Sequence, residues 1–184
     1  MERQRVLFIC THNSARSQMA EGFLRHWAGD TFDVYSAGTE VTEVRPEAIK
    51  VMAEIGIDIS QQQSKHYRQF FDQEWDWLIT VCDQAKESCP VFPGAERTSH
   101  WGFEDPSQTQ GTEDERLKVF RRVRDDIGQR LRTFILAAGR AEPEQRMGVR
   151  LEREPRSAQG SGVTATGSAA SSVSSVDAGS NPSG

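Results

Sequence analysis

The chain has 184 residues and a net charge of −5, with 22 Lys and Arg residues against 27 Asp and Glu residues. This length predicts one domain with an appendage, and the acidic balance argues against a general nucleic-acid-binding protein. The three cysteines are too few for a secreted disulfide framework, and the N-terminal apolar run is too short for a signal peptide or a membrane span. We therefore expect a cytoplasmic protein whose cysteines have chemical roles, with neither nucleic acid nor membrane as a partner.

The stretch VLFICTHNSARSQMAE at 6–21 predicts a strand, a short loop and a helix in direct succession. The apolar run ends at Cys10, and apolar residues recur at helical spacing from Met19 onwards. The free N–H groups of such a loop and of the first helical turn form a concave site for an oxyanion. The same field, with Arg16 nearby, favours the thiolate of Cys10 over the thiol. A Cys and an Arg occur at this spacing by chance in many sequences, so the interpretation depends on the flanking strand and helix.

Strands and helices alternate along the rest of the chain. The predicted elements are a strand at 32–38, a helix at 47–54 opened by Pro46, a loop or short helix at 61–74, a strand at 75–82, a short helix at 83–89, a strand within ERTSHWGF at 96–103 and a long amphipathic helix at 113–138. This alternation predicts an α/β fold with a doubly wound, flavodoxin-like, four-stranded parallel sheet flanked by helices. We interpret Arg121, Arg122 and Arg124 on the last helix as a solvated face, with a nucleic-acid surface as the minor alternative.

The composition changes beyond Gly139. Residues 157–184 are rich in Ser, Gly and Ala, and Asp177 is their only charged residue. Such a segment cannot bury enough apolar surface to offset the entropy lost on ordering. We therefore predict a folded domain at 1–140 and a disordered tail or linker at 141–184.

Two of the cysteines follow predicted strands, Cys10 the first and Cys82 the third. If these strands are neighbours, their carboxyl ends lie about 4.8 Å apart and both thiols open onto one crevice. Cys89 lies seven residues beyond Cys82. In a helix their Cα atoms would be about 10 Å apart, whereas a disulfide spans less than about 7 Å. A bond between them would therefore unwind the segment and act as a conformational switch; two unrelated buried thiols are the alternative.

Asp105-Pro106 lies in a polar loop between the fourth strand and the last helix. A carboxylic acid on a loop above an oxyanion site is able to protonate a leaving oxygen. An ordinary Asp-Pro turn is the structural alternative.

Four motifs together resemble the thioredoxin-coupled arsenate reductases, which share the low-molecular-weight protein tyrosine phosphatase fold. They are C-T-H-N-S-A-R-S-Q-M-A-E at 10–21, T-V-C at 80–82, C-P at 89–90 and E-D-P at 104–106. The resemblance covers about residues 4–138. It implies reduction of arsenate to arsenite in arsenic detoxification, with thioredoxin as an external reductant and no resident cofactor. We expect the protein to be a monomer.

The resemblance implies that Cys10 is the nucleophile, that Ser17 hydrogen-bonds its sulfur and that Asp105 protonates the departing hydroxyl. The loop would hold the oxyanion through its backbone and the Arg16 guanidinium, by charge-assisted hydrogen bonds. The substrate-binding residues are then Thr11, His12, Asn13, Ser14, Ala15 and Arg16.

The resemblance further implies a relay of thiols. Cys82 would attack the adduct between Cys10 and arsenic, which releases arsenite and leaves a Cys10–Cys82 disulfide. Cys89 would then attack Cys82, and thioredoxin would reduce the resulting Cys82–Cys89 disulfide.

Some relatives bind a potassium ion near the loop, at positions matching Asn13, Glu21 and Ser36 and a fourth, acidic position. The fourth position here is Lys65, whose ammonium would take the place of the ion. We therefore expect no metal site. The remaining histidines, His26, His66 and His100, have no metal-ligand spacing.

A phosphatase is the closest alternative, because phosphate and arsenate have the same shape and charge. Cys10, Arg16 and Asp105 would serve both reactions, but hydrolysis requires no further cysteine. Phosphatases of this fold usually place aromatic residues beside the acid, where this chain has Ser107 and Gln108. A non-enzymatic oxyanion sensor or redox-switched adaptor is a third possibility, which would bind the anion without turnover.

Overall fold

A computed structural model describes residues 2–82, 92 and 94–139. Four strands form one sheet in the order β2-β1-β3-β4, and every neighbouring pair is parallel. The elements are β1 (Gln4–Cys10), α1 (Arg16–Ala28), β2 (Phe32–Gly38), α2 (Pro46–Ala53), β3 (Trp75–Thr80), β4 (Ala95–His100) and α3 (Glu113–Ala138), with short 3₁₀ helices at Tyr67–Phe70 and Pro106–Gln108. This topology confirms the predicted α/β fold with a doubly wound, flavodoxin-like parallel sheet.

The third strand ends earlier than the sequence predicts. It stops at Thr80, and the Val81 N–H donates to the Ile9 carbonyl at 2.8 Å before the chain leaves the ladder. Cys82 therefore lies just past the strand rather than within it. The helix predicted at 83–89 and the disordered tail predicted at 141–184 lie outside the described residues.

Alternating residues of the central strand β1 supply two hydrophobic clusters, because successive side chains point to opposite faces of a strand. Val6 and Phe8 pack in the cluster that contains the buried faces of α1, α2 and α3. Leu7 and Ile9 pack in the other cluster, with Phe70. All four side chains are 0% exposed, as expected for a central parallel strand.

The long helix α3 begins at a capping box. The Thr112 hydroxyl accepts from the Glu115 N–H, and the Glu115 carboxylate accepts from the Thr112 N–H at 2.8 Å. The apolar stripe behind the cap is buried at Leu117, Phe120, Val123, Ile127 and Leu131. Its other face is polar, and no helix among the described residues combines the length and apolarity needed to cross a membrane.

The interpretation of the α3 arginines as a solvated face is wrong for Arg124. Its side chain is buried and donates to the Val51 carbonyl at 2.8 Å. This carbonyl lies in the last turn of α2, where helix carbonyls lack an intrahelical donor. Arg121 forms two hydrogen bonds with Glu54 and thereby lowers the pKa of that carboxyl. These arginines therefore join α3 to α2.

We expect Leu131→Ala to lower the free energy of unfolding by about 2–5 kcal/mol, because the side chain is fully buried and its removal leaves a cavity. Leu136→Ala on the same helix is the matched control, since Leu136 is 61% exposed. Its effect should stay within about 0.5 kcal/mol. Urea unfolding of both variants measures the difference, and equal losses would contradict the assigned core face of α3.

Candidate active site

Cys10 is the last residue of β1 and lies where the loop at 11–15 leads into α1. It is a free thiol, 3% exposed, at the boundary between β1 and β3 where the order of the strands reverses. Ala15 precedes α1, which has no side-chain cap and no acidic residue in its first turn. Because neither a cap nor a carboxylate competes there, the loop and helix terminus are suited to an anion.

Two donors are directed at the Cys10 sulfur. The Asn13 N–H donates to it at 3.1 Å, and the Ser17 hydroxyl lies 2.8 Å away. The Ser17 oxygen accepts from the Asn13 side-chain amide at 2.9 Å, so its own proton is available for the sulfur. Both contacts place a hydrogen-bond donor at the sulfur, the atom through which a cysteine acts as a nucleophile.

Asn13 determines the shape of this loop, which we call the anion loop (residues 10–16). Its φ is 47°, in the left-handed region that asparagine tolerates better than most residues. The side chain is 0% exposed, and its oxygen accepts from the Lys65 backbone N–H at 2.7 Å. A backbone N–H is only a donor, so this bond fixes the amide orientation. The amide nitrogen then donates to both Ser17 and Ser36.

The outward carbonyls of the anion loop are bonded to neighbouring segments. The Thr11 carbonyl accepts from the Glu40 N–H at 2.9 Å. The His12 carbonyl accepts from the hydroxyls of Thr42 and Ser64, at 3.2 and 3.0 Å. Carbonyls held outward leave N–H groups directed inward, as an oxyanion nest requires. The His12 ring is itself directed outward, with Nε2 3.4 Å from a Glu40 carboxylate oxygen.

Glu21 is a buried carboxylate behind the anion loop. Both of its oxygens are engaged, one by Arg25 and the other by the Ser36 hydroxyl. The Lys65 ammonium lies 3.5 Å from the second oxygen and also donates to the Gln63 carbonyl at 2.9 Å. The Lys65 ammonium thus lies beside Glu21 and Ser36, two of the positions at which the resemblance implies a potassium site in some relatives.

The predicted acid, Asp105, contacts the anion loop through Arg16. One oxygen lies 3.3 Å from the Arg16 guanidinium, and the other accepts from the Ser107 N–H at 3.0 Å. Arg16 is 3% exposed and also donates to the Phe103 carbonyl at 3.3 Å. Arg16 is therefore placed between the anion loop and the segment at 103–108, which we call the acid loop.

The structure thus brings together Cys10, Arg16, Ser17 and Asp105 from distant parts of the sequence. Cys82 lies past the neighbouring strand, is 1% exposed and is disulfide-bonded. Because Cys10 is free, that bond is not made to Cys10. Cys89 lies outside the described residues.

Sequence reasoning missed Gln18. Its buried amide nitrogen donates to the backbone and side-chain oxygens of Asn13, both at 3.0 Å, and to the Gln63 carbonyl. The sequence offered no signal for it, because Gln18 lies outside the apolar spacing that begins at Met19, and its burial shows only in the tertiary structure.

We expect Gly38→Ala to abolish oxyanion binding. A Cβ at Gly38 would lie 2.6 Å from the Thr11 carbonyl oxygen and 2.8 Å from the Asn13 nitrogen, so the anion loop would have to move. Gly102→Ala is the matched control, because a Cβ there meets only a His100 ring nitrogen, at 3.5 Å. Calorimetric titration with inorganic phosphate measures the effect. Unchanged affinity in Gly38→Ala would contradict the placement of the anion loop.

We expect potassium and sodium to have the same effect on this protein, because the Lys65 ammonium already lies beside Glu21. Melting temperature and turnover should be equal in KCl and NaCl at matched ionic strength. A gain specific to potassium would show that an ion binds despite the ammonium.

Comparison with known proteins agrees with this geometry. The low molecular weight phosphotyrosine protein phosphatase family matches residues 5–145. An arsenate reductase of Halalkalibacterium halodurans is 49% identical over 134 residues, which cover 73% of this chain and 96% of the relative. A solved arsenate reductase in the phosphate binding state has a TM-score of 0.63 at 36% identity, covering 73% of this chain and 98% of that one. A thioredoxin-dependent arsenate reductase of Corynebacterium glutamicum has a TM-score of 0.51 at 28% identity, over 73% and 63% of the two chains. The chain therefore belongs to the low molecular weight phosphotyrosine protein phosphatase family and, within it, to the arsenate reductases.

Proposed function

We propose that this protein reduces arsenate to arsenite through a relay of Cys10, Cys82 and Cys89, with thioredoxin as the reductant. The observation that carries the proposal is the free, buried Cys10 thiol in the anion loop, beside a neighbouring strand that leads to a second, disulfide-bonded cysteine. Hydrolysis of a phosphate ester does not require the second cysteine.

In the first step the Cys10 thiolate attacks arsenic. The N–H groups of the anion loop and the Arg16 guanidinium hold the arsenate oxygens, and Asp105 gives a proton to the oxygen that departs as water. The bond formed joins sulfur to pentavalent arsenic, and no electrons have yet been transferred. Ser17 and Asn13 stabilise the attacking sulfur beforehand through their contacts with it.

In the second step the electrons move to arsenic. The Cys82 sulfur attacks the Cys10 sulfur, the bond between sulfur and arsenic breaks, and its electron pair stays on arsenic, which leaves as arsenite. The product is a Cys10–Cys82 disulfide. Cys89 then attacks Cys82, which frees the Cys10 thiolate for the next substrate. The parallel pairing of β1 and β3 supports the exchange between Cys10 and Cys82, because it brings the residues that follow Ile9 and Thr80 to the same edge of the sheet.

The last disulfide requires an external dithiol, which supplies the two electrons of each turnover. We propose thioredoxin, because the relative from Corynebacterium glutamicum is thioredoxin-dependent. A reductant of this class works in a reducing compartment, so we place the protein in the cytoplasm.

Hydrolysis of phosphate esters is the competing function. It would use the same Cys10, Arg16 and Asp105, with water in place of the second thiol. The acid loop has Ser107 and Gln108 after Asp105-Pro106, and neither offers an aromatic face to a phenol ring. We therefore expect at most weak activity toward aryl phosphates.

We expect Cys10→Ser, Cys82→Ser and Cys89→Ser each to abolish multiple turnover of arsenate with thioredoxin and its reductase. Cys89→Ser should still release one equivalent of arsenite, because the first two thiols suffice for one reduction, and it should stop as the Cys10–Cys82 disulfide. Arsenite release and mass spectrometry of the trapped protein measure both outcomes.

Hydrolysis of p-nitrophenyl phosphate by the same variants is the control. It should depend on Cys10 and be indifferent to Cys82 and Cys89. Full arsenate turnover in Cys82→Ser would rule out the relay.

A further inference from the structure

Three arginines from distant parts of the chain contact the acid loop. Arg16 at the start of α1 contacts Phe103 and Asp105, and Arg122 of α3 pairs with Glu104. The third is Arg45, which precedes α2 and donates to the Ser107 carbonyl at 3.2 Å. Arg45 has no assigned role in the proposed reaction.

Arg45 contacts both halves of the site. Its backbone N–H donates to the Ser14 carbonyl of the anion loop at 2.8 Å, while its guanidinium holds the Ser107 carbonyl of the acid loop. Between the two loops lies an open cavity of about 520 Å³, lined in part by His12, Ser14, Arg45 and Ser107. Arg45 therefore spans this cavity and links its two walls.

The Ser107 backbone connects the Arg45 contact to Asp105. The Ser107 N–H donates to Asp105 at 3.0 Å, and this is the bond that orients the carboxyl from the side opposite Arg16. The 3₁₀ helix at Pro106–Gln108 has only three residues, and its backbone hydrogen bonds are long: the Gln108 N–H donates to the Asp105 carbonyl at 3.3 Å and the Thr109 N–H to the Pro106 carbonyl at 3.2 Å. Because the Ser107 carbonyl and N–H flank the same Cα, a contact that fixes the carbonyl also limits how far the N–H bonded to Asp105 can move.

We propose that Arg45 is a positioning residue, which acts through Ser107 to hold the Asp105 carboxyl over the anion loop. This inference rests on the proposed function for the role of Asp105 as the acid. Proton donation depends steeply on the distance between the acid and the departing oxygen, so a loop free to shift would slow the first step without weakening oxyanion binding.

A double-mutant cycle tests the proposal. We expect Arg45→Ala to lower the single-turnover rate of arsenite release at saturating arsenate about three- to tenfold, the effect of losing one typical intramolecular hydrogen bond. In an Asp105→Asn background the same change should have no further effect, because the group that Arg45 positions is already inactive. Arg45→Lys should recover part of the loss.

Lys50→Ala is the matched control. It removes an exposed cation from α2, the helix that Arg45 precedes, and the Lys50 ammonium lies 2.7 Å from the Glu113 carboxylate on α3. We expect its rate to match that of the wild type. The inhibition constant of inorganic phosphate should be unchanged in Arg45→Ala, and melting temperatures verify that each variant is folded.

Three results would overturn the proposal. They are a wild-type rate in Arg45→Ala, an equal loss in both backgrounds, or weakened phosphate binding that accounts for the whole effect, as expected for a residue that attracts the anion by charge. If the wild type releases no arsenite, the proposed function fails. The same double-mutant cycle is then measured on p-nitrophenyl phosphate hydrolysis, for which Asp105 is also the acid. Failure of the proposed function is thereby distinguished from failure of the positioning role of Arg45.

Discussion

The hydrogen bond from the Lys65 backbone to the Asn13 side-chain oxygen governs the active-site geometry. It is 2.7 Å long, and because its donor cannot act as an acceptor it fixes which way the buried amide points. The amide then donates to Ser17 and Ser36, and the Ser17 proton is left for the Cys10 sulfur. The left-handed backbone of Asn13 brings its own N–H to the same sulfur. The hydrogen bonds to the Cys10 sulfur therefore depend on a segment more than 50 residues away.

The parallel sheet accounts for the rest of the site's placement. Carboxyl ends of parallel strands meet at one edge, so the end of β1 with Cys10 and the chain after β3 with Cys82 are close in space. At that edge Gly38 of β2 leaves room for the anion loop, since a side chain there would meet the Thr11 carbonyl. The positions of the anion loop and of the second sulfur thus follow from one topology.

The acid loop is held from outside rather than by its own structure. Arginines from α1, from α3 and from the residue preceding α2 contact it, and a short 3₁₀ helix is its only regular element. Arg124 plays a comparable part between α3 and α2, where it bonds to the Val51 carbonyl. Guanidinium groups, buried at Arg16 and Arg124 and exposed at Arg45 and Arg122, therefore join the helices to one another and to the acid loop. This use of arginine explains why Arg124 is buried, although the helical pattern of α3 predicts a solvated basic face.

The sequence alone determined the succession of elements, the position of Cys10 between a strand and a helix, and the bounds of α3, because apolar periodicity, caps and turn residues act over a few positions. Its motifs also indicated the chemistry. Only the tertiary structure decided that Arg124 is buried, that Asn13 bonds to Lys65, and that Arg45 joins the two loops. These contacts unite residues far apart in the chain, and no local pattern encodes which polar groups will meet once the sheet has formed.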